Sequence, residues 1–300
     1  MLKRKRPKFS PGQILLMIIL GLFALLCLLP MLLIVVVSFS SEASISSKGF
    51  SFFPEEWSLS AFNYVAAFSN QLIQSYMVTI YETFVGTAIT LILTSMFAYT
   101  LSRRDFMLRK ALAVYLLITM LFSGGLLSSY LVNTNIWGMR NNLLVLVIPG
   151  AVGAMNCIIM RTFIQTNVPD SLIESAKIDG ASEYRLFFSI VMPIMLPVMA
   201  AIGFMAAVGH WNEWQTAFLY IDNPKYATLQ LMLIRIEKSL SFLQERLDSL
   251  SAEELELLAN APSETARMAI LLCTLGPVMI AYPFFQKYFV KGITIGSVKG

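Results

Sequence analysis

Charge is the scarcest commodity in this sequence. Only 13% of its 300 residues are Asp, Glu, Lys or Arg and 57% are apolar, against roughly 25% charged in an ordinary soluble domain. That scarcity excludes a soluble globular fold. Cysteine is almost absent too: Cys27, Cys157 and Cys273 lie far apart in or beside apolar runs, without pairing or metal-ligand spacing. They read as small core hydrophobes, which excludes a disulfide framework. The single histidine, His210, has no His or Cys neighbour, so no imidazole metal site is expected. No Gly-x-x-x-x-Gly-Lys-Ser/Thr phosphate loop occurs, so the chain is not expected to hydrolyse ATP itself.

What the sequence has is long apolar runs. A span needs about 20 mostly apolar residues, and six segments qualify: 14–37, 71–101, 111–130, 141–162, 191–212 and 267–286. The fold expected is all-α and polytopic, with six transmembrane helices. Residues 9–41 carry no charge. The first run follows Lys3, Arg4, Lys5, Arg6 and Lys8 but exceeds the 7–15-residue core of a secretory signal, so it reads as a retained span.

Lys and Arg set the orientation. With the N-terminus in the cytoplasm, the inside segments are 1–13, 102–110, 163–190 and 287–300. They hold fourteen Lys and Arg, and Arg161 at a span boundary makes fifteen of the 22. Of 18 acidic residues only Asp105, Asp170, Glu174, Asp179 and Glu183 fall inside. Six spans return the C-terminus to the same side. The expected location is the plasma membrane, with both termini cytoplasmic and the lipid bilayer as a partner. The net charge of +4 then reflects topology, and no nucleic-acid partner is expected.

The inside stretch 174–193 is a polar elbow between two spans. Pro169 suits the first turn of a helix, and Leu172, Ile173 and Ala176 share a face. Gly180 supplies a left-handed end, and a second short helix, 181–190, enters the membrane at Pro193. Asp170 and Glu174 lie in the first turns, where the helix dipole favours negative charge. From the residues alone, a plain loop and a docking element for a soluble partner both remain open.

On the outer side, residues 38–70 carry Pro54, Trp57, Phe62 and Tyr64, which point to a folded or interfacial segment. Residues 213–266 are too long and polar for a simple turn, and Ser239–Asn260 reads as an amphipathic acidic helix or helix pair. Its polar face is either solvated or docks a soluble partner. Glu82 is the one carboxylate well inside a span, so it should face a polar cavity or a hydrogen-bonding partner. Trp211 and Trp214 read as interfacial belt residues or as pathway lining. Tyr81, Glu82, Asn156, Trp211, Asn212 and Glu213 combine polar groups with aromatic platforms and are candidate pathway residues.

Glu174, Ser175, Ala176, then Gly180, Ile190 and Pro193, resembles the EAA loop of binding-protein-dependent ABC importer permeases. That loop reads Glu-Ala-Ala, three residues, Gly, nine residues, Ile-x-Leu-Pro. The chain departs from it at Ser175 and Met192. Asp179-Gly180-Ala181 matches the form of the sugar importers. Ala98-Tyr-Thr-Leu-Ser-Arg103, Trp211-Asn-Glu-Trp214 with Thr228-Leu-Gln230, and the tail from Tyr288 resemble the same maltose-type branch. Pro262–Arg267 and Tyr282–Lys287 resemble its aldouronate and pectin-oligosaccharide permeases.

The resemblance implies a type I importer permease fold in which 71–286 is the core, and an oligosaccharide as substrate. It implies a second homologous permease, two cytoplasmic ATPase subunits that hold ATP and Mg, an extracytoplasmic sugar-binding lipoprotein, and no cofactor in this chain. Glu174, Ser175, Ala176, Asp179, Gly180, Ala181, Ile190 and Pro193 would then couple ATPase movement to the bundle. The competing class, a secondary transporter without an ATPase, predicts internal repeats, and no clear repeat is present.

Overall fold

The computed structural model describes residues 10–67, 69–245 and 264–297. The described residues are mostly helical and hold no strand, with one isolated bridge between Ser40 and Trp57. They fall into two compact units.

The first unit holds residues up to Ser69 together with Ile236–Gly276. Helix α1 (Pro11–Ser38) starts on a capping box, with Ser10 and Gln13 satisfying each other's backbone N–H groups. Residues 11–30 are exposed along their whole run, as expected of an apolar helix whose solvent is lipid. Two short helices follow, α2 (Glu42–Lys48) and α3 (Ser60–Ala67). Between them the chain pairs back on α1's end: Ser41 N–H donates to Glu56 O at 3.0 Å and Ser58 N–H to Phe39 O at 2.8 Å. The Phe39 and Phe62 rings pack 4.7 Å apart. Within segment 38–70, residues 39–62 are therefore folded.

The second unit holds Asn70–Arg235 and Pro277 onward. Its elements are α4 (Ser69–Ser102), α5 (Arg109–Leu121), α6 (Gly125–Leu131), α7 (Ala154–Asn167), α8 (Asp170–Ile178), α9 (Glu183–Arg185), α10 (Met192–Asn212) and α11 (Gln215–Tyr220). Helices α12 (Leu229–Glu245) and α13 (Glu264–Ser297) complete the chain.

Three of the predicted runs form single helices long and apolar enough to cross a membrane: α1, α4 and the continuous helix Glu183–Asn212. The run 267–286 lies within α13. Two others are broken. Run 111–130 bends by 115° between α5 and the helix from Gly125 to Ile136, because Ser123-Gly124-Gly125 intervenes and Gly125 has φ +80°, open to glycine at little cost. Run 141–162 is not one helix: a 3-10 turn (Leu143–Leu146) is followed by Pro149-Gly150, with φ +81° at the glycine, and α7 begins only at Ala154. Such irregular backbone survives at membrane depth only inside protein. Val145, Leu146 and Val147 accordingly lie fully buried against Val78, Ala217, Tyr220 and Leu231.

Three further boundaries differ from expectation. Pro169 caps α8 from outside and the first helical residue is Asp170. The predicted helix 181–190 is continuous with α10 through a π-helical stretch, Leu186–Val191. Pro193 has no N–H to give Ser189, and a wider local turn accommodates that gap. The tail from Lys287 stays helical to Ser297. Most of the amphipathic segment Ser239–Asn260 lies outside the described residues.

Candidate functional site

The elbow begins where α7 ends, and each part of it has a local cause. Ile173 is buried in a core that includes Tyr99, Ile164, Val168, Leu186, Phe187 and Val191, and Ala176 and Ala181 pack on the same core. This is the apolar face that fixes α8. Gly180 adopts φ +79° and completes a Schellman ending: Ala181 N–H donates to Ala176 O at 2.9 Å and Gly180 N–H to Lys177 O at 3.0 Å. Ser182 then caps α9 by accepting from Arg185 N–H. The chain turns at one glycine and restarts at once.

Ionic contacts bind this turn to the end of α4. Lys177 Nζ donates to Asp105 Oδ2 at 2.8 Å and contacts Glu183 Oε1 at 2.9 Å. Arg103 Nη2 also donates to Asp105 Oδ2 at 2.8 Å, and the Tyr99 hydroxyl donates to Glu183 Oε2 at 2.6 Å. The Asp105 carboxyl is held down to about 2 by the Lys177 hydrogen bond, helped by Arg103. Lys177 is raised above its ordinary value by Asp105 first and Glu183 second. Charge-assisted bonds of this kind are shorter and stronger than neutral ones. The elbow and the end of α4 therefore form one braced piece.

The outer surface of that piece is apolar where solvent would favour polar groups. Ile178 is 86% exposed and Tyr184 76% exposed, one on each side of Gly180, and Leu172 is also exposed. Glu174, Ser175 and Asp179 are exposed, Ala176 and Ala181 half-buried, Ile190 half-buried and Pro193 exposed. The two departures from the EAA pattern are accommodated. Ser175 Oγ donates back to Leu172 O at 3.0 Å, and Met192 packs on the core where Leu would.

The pathway candidates are only partly brought together. Glu82 is wholly buried on α4, with His210 Nδ1 3.8 Å from Oε1, longer than a hydrogen bond. Gly86, one turn on, makes room for the imidazole, since a Cβ there would stand 2.6 Å from His210 Cε1. Asn212 Nδ2 donates to Val208 O, and Glu213 Oε1 accepts from Thr216 N–H at 2.8 Å, which holds the start of α11. Trp211 is half-buried on the same turn of α10. Tyr81, one position from Glu82, packs on the Val145–Tyr220 core. Asn156 stands apart in the first turn of α7, with no hydrogen bond to Glu82, Asn212 or Glu213.

Sequence reasoning passed over Tyr99, Arg103, Asp105, Lys177 and Glu183 as a group. The signal was thin: Tyr99 and Arg103 share the Ala98–Arg103 stretch, and Lys177 and Glu183 stand symmetrically about Gly180. It also passed over a cavity of about 340 Å³ in which Ser129, Asn133, Gln215, Thr216 and Tyr220 stand among apolar residues such as Leu126, Pro149 and Leu219. Asn133 Nδ2 donates to the Tyr220 hydroxyl there at 3.0 Å.

Comparison with known proteins gives the family. Residues 103–295 match the model of the binding-protein-dependent transport system inner membrane component. The chain is 38% identical over 280 residues to the polygalacturonan/rhamnogalacturonan transport system permease protein YtcP of Bacillus subtilis, covering 93% of this chain and 95% of that one. It is 28% identical to the melibiose/raffinose/stachyose import permease protein MelC of the same organism, covering 91% of each chain. A crystal structure of a bacterial ABC transporter involved in the import of the acidic polysaccharide alginate contains a chain of similar fold. The TM-score is 0.79 and the identity 29%, covering 95% of this chain and 100% of that chain. The secondary-transporter alternative is set aside: this chain belongs to the binding-protein-dependent transport system inner membrane component family, the permeases of ABC importers.

Proposed function

We propose that the chain is one of two homologous permeases in an ATP-driven importer of oligosaccharides, with uronate-containing sugars as the substrate class. Its six membrane crossings are α1, α4, the broken α5–α6 segment, the 141–167 region ending in α7, the Glu183–Asn212 helix and α13. Both termini and the elbow face the cytoplasm, in keeping with the Lys and Arg bias. Two ATPase subunits hold ATP and Mg, and an extracytoplasmic lipoprotein delivers the sugar; the chain itself carries no cofactor.

The observation that carries the coupling role is the brace around Lys177. A lever transmits displacement only if its elbow is stiff, and Lys177 ties both arms of the elbow and the loop after α4 together at 2.8 and 2.9 Å. Exposed Ile178 and Tyr184 give an ATPase cleft the apolar anchors that dominate interface energetics. Glu174, Ser175 and Asp179 supply the polar rim, Ala176, Gly180 and Ala181 set the turn, and Ile190 and Pro193 set the entry to α10.

The substrate class rests on the relatives that carry polygalacturonan, rhamnogalacturonan and alginate in their names. Within the pathway group a division of labour is proposed. Asn156, Trp211 and Asn212, half-buried or exposed, meet the sugar, while Glu82 and Glu213 support them. The Asn133–Tyr220 cavity adds neutral hydroxyl and amide groups of the kind sugars require.

The test is reconstitution of the complete importer in proteoliposomes, reading ATP hydrolysis stimulated by ligand-loaded binding protein. Gly180→Pro, Glu174→Arg and Ile178→Asp should each abolish the stimulation, and Ile178→Asp should also release the ATPase during purification. Intact assembly and stimulation in all three would sink the reading. Calorimetry of the cognate binding protein with oligogalacturonate and with a neutral oligosaccharide checks the substrate class.

A further inference from the structure

A second charged feature lies beside the elbow and shares only Arg103 with its brace. A cavity of about 240 Å³ opens at the end of α4, lined by Arg103, Arg104 and Arg109 with Gln165, Asp170 and a floor that includes Ile173. Three guanidiniums face one carboxylate across it. Arg103 is committed to Asp105. Arg104 reaches Asp170 only at 3.5 Å, with both side chains largely exposed, a pairing of little strength. Arg109, half-buried at the rim, forms no ion pair among the described residues. The cavity thus has a cationic excess that no described residue neutralises.

The start of α5 adds to that excess. Arg109 and Lys110 occupy its first turn, no acidic residue joins them, and no side chain caps the helix. Cations at a helix N-terminus oppose the macrodipole, and uncapped N–H groups attract anions. Immediately before them, Met107 is 90% exposed and Leu108 52% exposed. An arginine-lined hollow, with two exposed apolar residues directly preceding Arg109 in the chain and an apolar helix long enough to cross a membrane ending beside it, has the composition of a lipid headgroup site. Basic pockets between spans on the cytoplasmic side bind anionic headgroups in this way. Guanidiniums suit the group well, because they meet phosphate oxygens bidentately.

We infer that this cavity binds the phosphate of an anionic phospholipid, with Arg104 and Arg109 as the principal contacts and Met107 and Leu108 against its acyl chains. A phosphodiester and free phosphate share the same recognition chemistry; the exposed Met107 and Leu108 next to Arg109 select the lipid. The inference rests on the proposed topology only in placing the cavity at the inner leaflet. The lipid would sit against α8, whose residue Asp170 lines the same hollow, and so bias the elbow's position.

The test uses the assembled importer purified in detergent, with retention of added dioleoylphosphatidylglycerol read by native mass spectrometry without nucleotide. Wild type should retain the lipid selectively over dioleoylphosphatidylcholine. Arg104→Gln/Arg109→Gln should weaken retention by roughly thirtyfold, and Arg104→Lys/Arg109→Lys, which keeps the charge without the bidentate fork, should restore part of it in a folded complex. Equal retention by wild type and the Gln double variant would overturn the inference. So would displacement of the lipid by millimolar inorganic phosphate, which would assign the site to a soluble anion. Retention is read without ATP turnover, so a failed coupling role for α8 would leave this result unchanged.

Discussion

Lys177 and Glu183 stand on opposite sides of Gly180 and meet at 2.9 Å. The same ammonium reaches Asp105 at 2.8 Å, so one cation spans the turn and ties it to the end of α4. Solvent reaches all three side chains, and each such pair contributes about 0.2–1 kcal/mol. Lys177→Met should therefore lower thermal stability only slightly while uncoupling binding-protein-stimulated ATP hydrolysis severalfold or more. A thermal scan and the hydrolysis assay on one preparation separate the two effects. Unchanged stimulation would mean that the brace is ornamental.

The brace has a defined pH window. The Asp105 carboxyl, lowered from 3.8 to about 2 by Lys177 and then Arg103, adds stability that is complete above 3.8 and fades as the pH falls through about 2. Lys177 is raised above 10.5 by Asp105 and Glu183. Its contribution is complete below 10.5 and fades as the pH rises through its higher folded value. Between those limits the network stays charged, so these two groups should leave coupling flat across neutral pH. Asp105→Asn should remove the part of the acid limb below pH 3.8 and also shrink the alkaline limb to what Glu183 sustains, because Asp105 is the first cause of the Lys177 shift, as read by melting temperature against pH.

Gly180 isolates the backbone contribution. Its φ of +79° lies in the left-handed region, and no heavy atom stands within 4 Å of where a Cβ would be. Gly180→Ala thus tests conformation without a clash and should destabilise the turn by about 1 kcal/mol. Gly180→Asn should cost less, because asparagine tolerates that region. Coupled hydrolysis should follow the order Gly, Asn, Ala, and an alanine variant equal to wild type would show that the turn can be rebuilt another way.

Gly86 tests packing. A Cβ there would lie 2.6 Å from His210 Cε1 and 2.7 Å from Nε2, so Gly86→Ala must expel the imidazole or shift a helix. Overpacking of this kind typically costs about 1–3 kcal/mol. His210→Ala should relieve most of it. A double-mutant cycle on melting temperature in detergent checks this, since additive losses would mean that the two residues do not meet.

What the sequence announced and what it withheld divide along range. The Gly180 turn, the apolar face of Ile173 and Ala176, and helices α1, α4 and α10 were legible because each depends on neighbours a few residues away. The breaks in runs 111–130 and 141–162 were not. Gly125 and Pro149-Gly150 were visible, but spanning helices also tolerate Gly and Pro, and only the burial of Val145, Leu146 and Val147 decides the matter. The brace was hidden for a related reason. Tyr99 and Glu183 are 84 residues apart and meet at 2.6 Å, a pairing no local period encodes. Glu82 was legible as an intramembrane carboxylate, while its neighbour His210 became visible only in three dimensions.

Glu42 shows the same long-range logic in the first unit and yields the final prediction. Its carboxylate accepts from Glu264 N–H at 3.0 Å, Thr265 N–H at 3.1 Å and Thr265 Oγ1 at 2.8 Å, capping α13 from the far end of the sequence. An anion there also answers the helix dipole. Thr265 is fully buried, so removing the acceptor strands its hydroxyl. Glu42→Ala should destabilise the protein by about 1–3 kcal/mol and speed amide exchange in the first turn of α13. Glu42→Gln keeps an acceptor oxygen without the charge and should recover part of the loss. Amide exchange at Thr265 unchanged by Glu42→Ala would show that the cap does not hold the helix end.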